Sequence, residues 1–196
     1  SYFSYAKPLS LIRALVEQVA TDNDIVLDFL SGSGTTAQGI IELNAKNKSN
    51  LKFVLVQLPE KFDTKSQAYR DGFTTIPEVA EERIRRAGEA IQKEHSDANI
   101  DTGFKVYKLQ KSTIKQWDEN PENFEAQLEL IHSPFTQDST NEQRAEEIAI
   151  KSGIDLEASP EVDGDNYHYA TDDKEVFVIL GKYDENLLEK INKQRK

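Results

Sequence analysis

The stretch that most limits what this chain can fold into is residues 24–37, Asp-Ile-Val-Leu-Asp-Phe-Leu-Ser-Gly-Ser-Gly-Thr-Thr-Ala. Ile25, Val26 and Leu27 form a short apolar run that reads as a fully buried strand, and Asp28 follows near its end. Gly32 and Gly34 then build a tight turn, and a helix starts at Thr35 or Thr36 with Ala37, Ile40 and Ile41 directed to the sheet. Strand, glycine turn and helix together make a cradle for a small anionic group. Glycine lets backbone approach closely, and the first N–H groups of a helix have no carbonyl partner of their own.

Three ligand classes use such a cradle. A phosphate-binding loop needs a Lys before its Ser or Thr, and Thr35 follows Gly34 directly with no Lys nearby. Gly32, Gly34 and Ala37 do satisfy the dinucleotide spacing G-x-G-x-x-G/A, which keeps a nicotinamide cofactor open. The third ligand is S-adenosylmethionine, which presents a carboxylate, an ammonium, a sulfonium and a ribose diol.

Residues 27–37, Leu-Asp-Phe-Leu-Ser-Gly-Ser-Gly-Thr-Thr-Ala, resemble motif I of the β group of amino-methylating DNA methyltransferases. The likeness extends through Phe-Val-Leu-Val-Gln-Leu-Pro-Glu at 53–60, Glu-Arg-Ile-Arg-Arg-Ala at 82–87 and Asp-Thr-Gly-Phe-Lys-Val at 101–106. There the chain is similar to the Mod subunits of Type III restriction–modification systems. The resemblance covers most of the chain and is strongest from Lys7 to Trp117. It implies a Rossmann-like α/β methyltransferase fold, of which this chain holds the cofactor-binding half, with a small C-terminal α+β appendage. It also implies S-adenosylmethionine as cofactor, held by Lys7, Pro8, Asp28, Leu30, Gly32, Gly34, Thr35, Thr36 and Glu60. Lys7 and Pro8 fall in Tyr5-Ala6-Lys7-Pro8-Leu9, which resembles motif X, where the Lys-Pro step lies at the cofactor's methionine end. Leu30 departs from the pattern, which usually carries Phe at that position.

Before the glycine turn, Leu11, Ile12, Leu15, Val16 and Val19 make one apolar face of an N-terminal helix that Pro8 opens. After it, the polar residues 44–50 lead to a second strand at 53–56 that stops at Pro59. Glu60 comes next, placed either to accept the ribose hydroxyls or to serve as an ordinary loop acid. Residues 61–75 are a long polar connection with Phe62, Tyr69 and Phe73 interspersed, and its role stays open.

Thr75-Ile-Pro-Glu78 is a capping box with Pro in the first turn. The helix it starts has a stripe of Ala80, Ile84, Ala87 and Ile91, with Gly88 for close approach. Its acids come first and Arg83, Arg85 and Arg86 follow, an order that suits a solvated charged face. Residues 103–109 read as a strand. Further on, Phe124, Leu128, Leu130 and Ile131 mark one helix, and Ser139 or Thr140 starts another that buries Ala145, Ile148 and Ala149 and ends at Gly153. A hairpin follows, 167–170 and 175–180 around the turn 171–174, with 176–180 as its central strand. A last helix runs from about Asp184.

The domain reading is therefore a cofactor-binding part, 1–117, and an acidic subdomain, 118–196. Charge supports the division. Residues 118–173 hold sixteen acids and two bases, a net of −14, so of the total of −11 the rest of the chain carries +3. Neither part is a basic surface for gripping a phosphate backbone. With no cysteine, disulfides and thiolate metal sites are excluded, and the three histidines are too scattered for a metal cluster. No apolar run reaches membrane length and no leader pattern is seen, so a cytoplasmic protein is expected.

Amino methylation in the resembled family needs an Asp-Pro-Pro-Tyr type of motif, and no Pro-Pro occurs among the six prolines. In the β group that motif precedes motifs X and I. The chain thus reads as the C-terminal part of a longer protein, with no catalytic residue and no metal ligand of its own. The resemblance implies DNA as a partner through the preceding region, a Res helicase-nuclease subunit as a second partner, and a homodimer. A nicotinamide-dependent Rossmann protein and a non-catalytic assembly module are the alternatives.

Overall fold

The computed structural model describes Tyr2, residues 7–95, 100–116, Leu128, 132–182 and Glu189. The chain divides into two compact units, Ser1–Gly103 and Phe104–Lys196. The division falls upstream of Trp117, the boundary read from the sequence, and Trp117 itself lies outside the described residues.

In the first unit, α1 (Leu9–Val19) leads to β1 (Ile25–Asp28), α2 (Thr35–Asn47) and β2 (Lys52–Leu55). The short helix α3 (Gln67–Arg70) and the long helix α4 (Ile76–Glu94) follow. The two strands pair in parallel, Ile25 opposite Lys52 and Asp28 opposite Leu55, so α2 is the crossover of a β-α-β unit. Val16, Ile40, Leu43 and Leu51 form the core between helices and sheet, with Ile12, Ala20, Val26 and Phe53 packed around them. α1 packs on α2 beside Gly39, where an added Cβ would make ordinary contact, 3.5–3.6 Å, with Arg13, Ile12 and Leu9 side-chain atoms.

Two burial expectations are corrected. β1 is not fully buried: Ile25 is 64% and Leu27 59% exposed, and Val54, Val56 and Leu58 are exposed with them. Side chains alternate across a strand, so these residues share the face opposite the helices, and nothing among the described residues covers it. On α1 only the Ile12–Val16–Ala20 line reaches the core, and Leu11, Leu15 and Val19 are exposed one position to the side.

The capping box holds. Thr75 caps α4 and Glu78 reaches back, and Val79, Ala80, Ile84, Ala87, Gly88 and Ile91 are buried. The connection before α4 is closed on itself: Phe62 N–H donates to Thr74 O, Ile76 N–H donates to Glu60 O, and Ser66 caps α3. Tyr2 donates from its hydroxyl to Asp71 at 2.6 Å and tilts against Phe73, with ring centroids 5.7 Å apart.

The second unit is α5 (Asn141–Lys151) with an antiparallel sheet of β3 (Glu161–Asp163), β4 (Asn166–Ala170) and β5 (Glu175–Ile179). Its core is Ala145, Ala149, Ile154, Tyr167, Tyr169 and Val178. Thr140 caps α5 in a box with Gln143, and Thr171 N–H closes the hairpin turn on Lys174 O at 2.8 Å. The central strand is β4, not β5, because β3 adds a third strand through the turn at Gly164, whose φ is +60°. The strand read at 103–109 is absent. That segment is held by side chains instead, Lys105 Nζ on Ala158 O at 2.6 Å and Tyr107 hydroxyl on Leu156 O, while Leu109 is fully exposed. The predicted helix around Phe124–Ile131 falls almost entirely outside the described residues, as does the one from Asp184. No helix among the described residues is long and apolar enough to cross a membrane.

Candidate cofactor-binding site

β1 ends on Asp28, and this carboxylate organises the turn that follows. Its Oδ1 accepts the Leu30 N–H at 3.1 Å, and its Oδ2 accepts the Thr36 hydroxyl at 2.6 Å. One acid thus ties both arms of the turn, strand end and helix start, with a charge-assisted bond on the helix side. Between those arms Gly32 and Gly34 lie at φ +51° and +72°, the left-handed region that a side chain resists. Gly34 has a second constraint: an added Cβ would stand 3.3 Å from both Cβ and O of Ala80 on α4. At Gly32 an added Cβ would meet nothing within 4 Å. The first glycine therefore faces open space and the second is pressed against a helix.

Cross-bracing from β2 and α4 completes the turn. Ser31 N–H donates to Val56 O at 3.3 Å, and Gly32 N–H donates to the side chain of Gln57 at 2.8 Å. Arg83 of α4 donates from Nη1 to the hydroxyls of Ser33 and Thr35 and from Nε to Gln38 Oε1, each at 2.8 Å. Ser31, Ser33, Thr35 and Thr36 are all buried, so the turn has a polar floor, and the hydroxyls of Ser33, Thr35 and Thr36 are hydrogen-bonded inward. Burial pulls the Arg83 guanidinium down from the usual arginine range, and the charge of Glu42 opposes that shift.

The helix that leaves this turn has an uncapped start. Gly34 occupies the N-cap with no side-chain hydrogen bond, and the first helical N–H donating to a carbonyl before the helix is that of Gln38, to Gly34 O at 3.3 Å. N–H groups of the first turn, the positive end of α2 and the Arg83 charge converge there. Such a place favours a carboxylate or phosphate.

Of the residues singled out from the sequence, Asp28, Gly32, Gly34, Thr35 and Thr36 form one connected turn. Leu30 stands beside it, 75% exposed next to an equally open Phe29. Pro8 is the N-cap of α1 and its carbonyl accepts from Leu11 and Ile12, while Lys7 is exposed just before it. Because Leu9 lies near Gly39, that pair sits toward the first half of α2. Glu60 is exposed, and only its main chain is fixed, by Leu58 O and Ile76 N–H. Gln57 and Arg83 were missed. Gln57 lies one residue beyond the predicted strand, a position with readable geometry, whereas Arg83 hides inside a run of alternating charges.

Behind Arg83 lies a cavity of about 370 Å³ lined by Tyr2, Gln38, Phe73, Val79, Glu82 and Arg86 among others.

Residues 1–62 match the family model described as DNA methylase. The chain is 42% identical over 107 residues to the Mod subunit of the Type III restriction–modification enzyme EcoP15I of Escherichia coli, which is 55% of this chain and 15% of that protein. It is 31% identical over 117 residues to the StyLTI Mod subunit of Salmonella typhimurium, 60% of this chain and 18% of the relative. With the EcoPI Mod subunit of Escherichia phage P1 it shares 32% over 139 residues, 70% of this chain and 20% of that subunit. The matched stretches thus span no more than a fifth of the length of these relatives. The first 62 residues are thus similar to the DNA methylase family, and the chain is similar over 107–139 residues to the Mod subunits of Type III restriction–modification enzymes.

Proposed function

We propose that this chain is the cofactor-binding portion of a site-specific DNA adenine methyltransferase of the Mod type, and that the glycine turn holds S-adenosylmethionine. The observation that carries this reading is the turn itself, braced on three sides yet open over Gly32, at an uncapped helix start. Those features fit the group: the open glycine admits its backbone-like methionine portion, and the α2 start suits its carboxylate. When bound, S-adenosylmethionine supplies an activated methyl group for the exocyclic amine of adenine.

The roles follow from position. Asp28 orders the turn through Leu30 and Thr36, and the N–H groups of Thr35 and Thr36 receive the carboxylate. Leu30 offers an apolar wall, Lys7 and Pro8 stand at the methionine end, and Glu60 reaches for the ribose diol. The fold that completes the site is a Rossmann-like methyltransferase sheet, and further sequence would supply the flipped-base pocket, the grip on DNA and the docking of a Res subunit. A homodimer is part of the same reading, as is a cytoplasmic location. By itself the chain lacks the groups that hold a flipped base, so it transfers no methyl.

Calorimetry on the full chain with S-adenosylhomocysteine and with NAD tests the proposal. Binding of the first and not the second is the expected result. NAD binding without adenosylhomocysteine binding would replace it with the nicotinamide reading that Gly32, Gly34 and Ala37 also permit. A chain that binds neither is an assembly module.

A further inference from the structure

We propose that Arg83 is a positioning residue that holds the glycine turn in its ligand-ready shape, an inference that rests on the cofactor reading above. Three arginines lie close together on α4, and they behave differently. Arg85 bridges to Glu81 and Glu82 on its own helix, and Arg86 bridges to Glu82 at 2.7 Å. Arg83 leaves its helix. Its three donated bonds all cross to the turn and to the first coils of α2, ending on Ser33, Thr35 and Gln38. Among the described residues no carboxylate lies within ion-pair distance of it.

A half-buried guanidinium without a carboxylate partner is costly to place, and its planar fork is what lets one cation span several acceptors at fixed geometry. Here one arm of the guanidinium, Nη1, donates to both Ser33 and Thr35, whose hydroxyls are 3.2 Å from each other, and so fixes the two residues flanking Gly34, while Nε reaches on to Gln38. Gly34 is also where Ala80 of α4 presses on the turn. The sequence around this point is rich in backbone freedom, with two left-handed glycines separated by one residue. A glycine turn of that kind has many conformations unless something outside it selects one. Arg83 reads both flanks of the second glycine and locks the turn against α4. Lysine would carry the charge but not the spacing, because a single ammonium placed at the two hydroxyls has no second nitrogen held in plane to reach the Gln38 amide oxygen as Nε does.

The test compares the full chain with Arg83→Ala and Arg83→Lys by hydrogen exchange, with adenosylhomocysteine affinity as a second readout. Losing hydrogen bonds from a charged donor should speed exchange over residues 31–37 by about tenfold or more in both variants. Exchange over residues 84–94 should stay as in the parent, which a general loss of folding would not allow. Affinity should fall about tenfold or more with the same variants, and guanidinium ion, small enough for the cavity beside Arg83, should restore part of it to Arg83→Ala. The proposal is overturned if Arg83→Lys leaves turn exchange and affinity unchanged, or if turn and α4 loosen to the same degree. Should the parent chain bind no adenosylhomocysteine, the cofactor reading fails, and the exchange comparison still decides whether Arg83 holds the turn.

Discussion

Replacing each of the two turn glycines by alanine should give unequal losses, and the inequality can be worked from the backbone and its neighbours. Both lie at positive φ, +51° for Gly32 and +72° for Gly34. A left-handed L residue costs about 1–2 kcal/mol, and the reduced freedom of the unfolded chain returns about 0.4–1 kcal/mol. Gly32→Ala meets no atom, so its net loss is the strain less that return, about 1 kcal/mol. Gly34→Ala adds a methyl 3.3 Å from Ala80 Cβ and from the Ala80 carbonyl oxygen. That oxygen is helix backbone and cannot swing aside, so crowding of about 1–2 kcal/mol joins the strain, for about 2–3 kcal/mol in all. Urea unfolding followed by far-ultraviolet circular dichroism measures both. Ligand binding should reverse the order: the Gly32 methyl fills the open side of the turn, so Gly32→Ala should keep its fold and lose adenosylhomocysteine. Equal stability losses, or a larger one for Gly32→Ala, would refute the packing argument.

Thr36→Val removes the 2.6 Å bond to Asp28 while keeping the side chain's shape, and should cost about 1.5–3 kcal/mol of stability in the same assay. For Gly88→Ala, the helix propensity gain of about 1 kcal/mol should be outweighed, because the new Cβ would lie 2.9 Å from Thr102 Cβ; a melting temperature above that of the parent would contradict this. In the second unit, burial favours the protonated Glu147 carboxyl. Bonds from Lys151, Ser112 and Thr113 outweigh it and hold the pKa at about 2, below the ordinary 4.5. A depressed pKa adds stability above the unfolded value, so this contribution is complete above about pH 4.5 and is lost as pH falls toward 2. Acid titration of the parent against Glu147→Gln should show a difference in stability that shrinks over that window, and a constant difference would contradict the assignment.

Local signals were legible in the sequence, and long-range ones were not. Glycines at 32 and 34, the box from Thr75 to Glu78 and the box from Thr140 to Gln143 act within a few residues, so their geometry is written in their spacing. The exposure of Ile25 and Leu27 is another matter. An apolar strand reads the same whether its second face is covered or open, and only the two-stranded sheet reveals which. β3 escaped notice because all three of its residues are exposed and show no apolar alternation, although Asp163-Gly164 is a fair turn signal. At 103–109 the aromatic and branched residues satisfied strand propensity, yet no partner strand lies alongside among the described residues, and propensity without a ladder does not make a strand. Arg83 followed a rule that was right for its neighbours. Arg85 and Arg86 do pair along the helix, while Arg83 sits on the side of α4 that meets α2, which a charge pattern alone does not disclose.

The most direct test of the cofactor site is a pair of amide-resolved nuclear magnetic resonance spectra of the full chain, recorded with and without S-adenosylhomocysteine. The account predicts the largest shifts at Gly32, Ser33, Thr35 and Thr36, with smaller ones at Gln57 and Glu60 and none in α5 or β3–β5. Saturable shifts centred anywhere else, or no shifts in a chain shown to be folded, would contradict it.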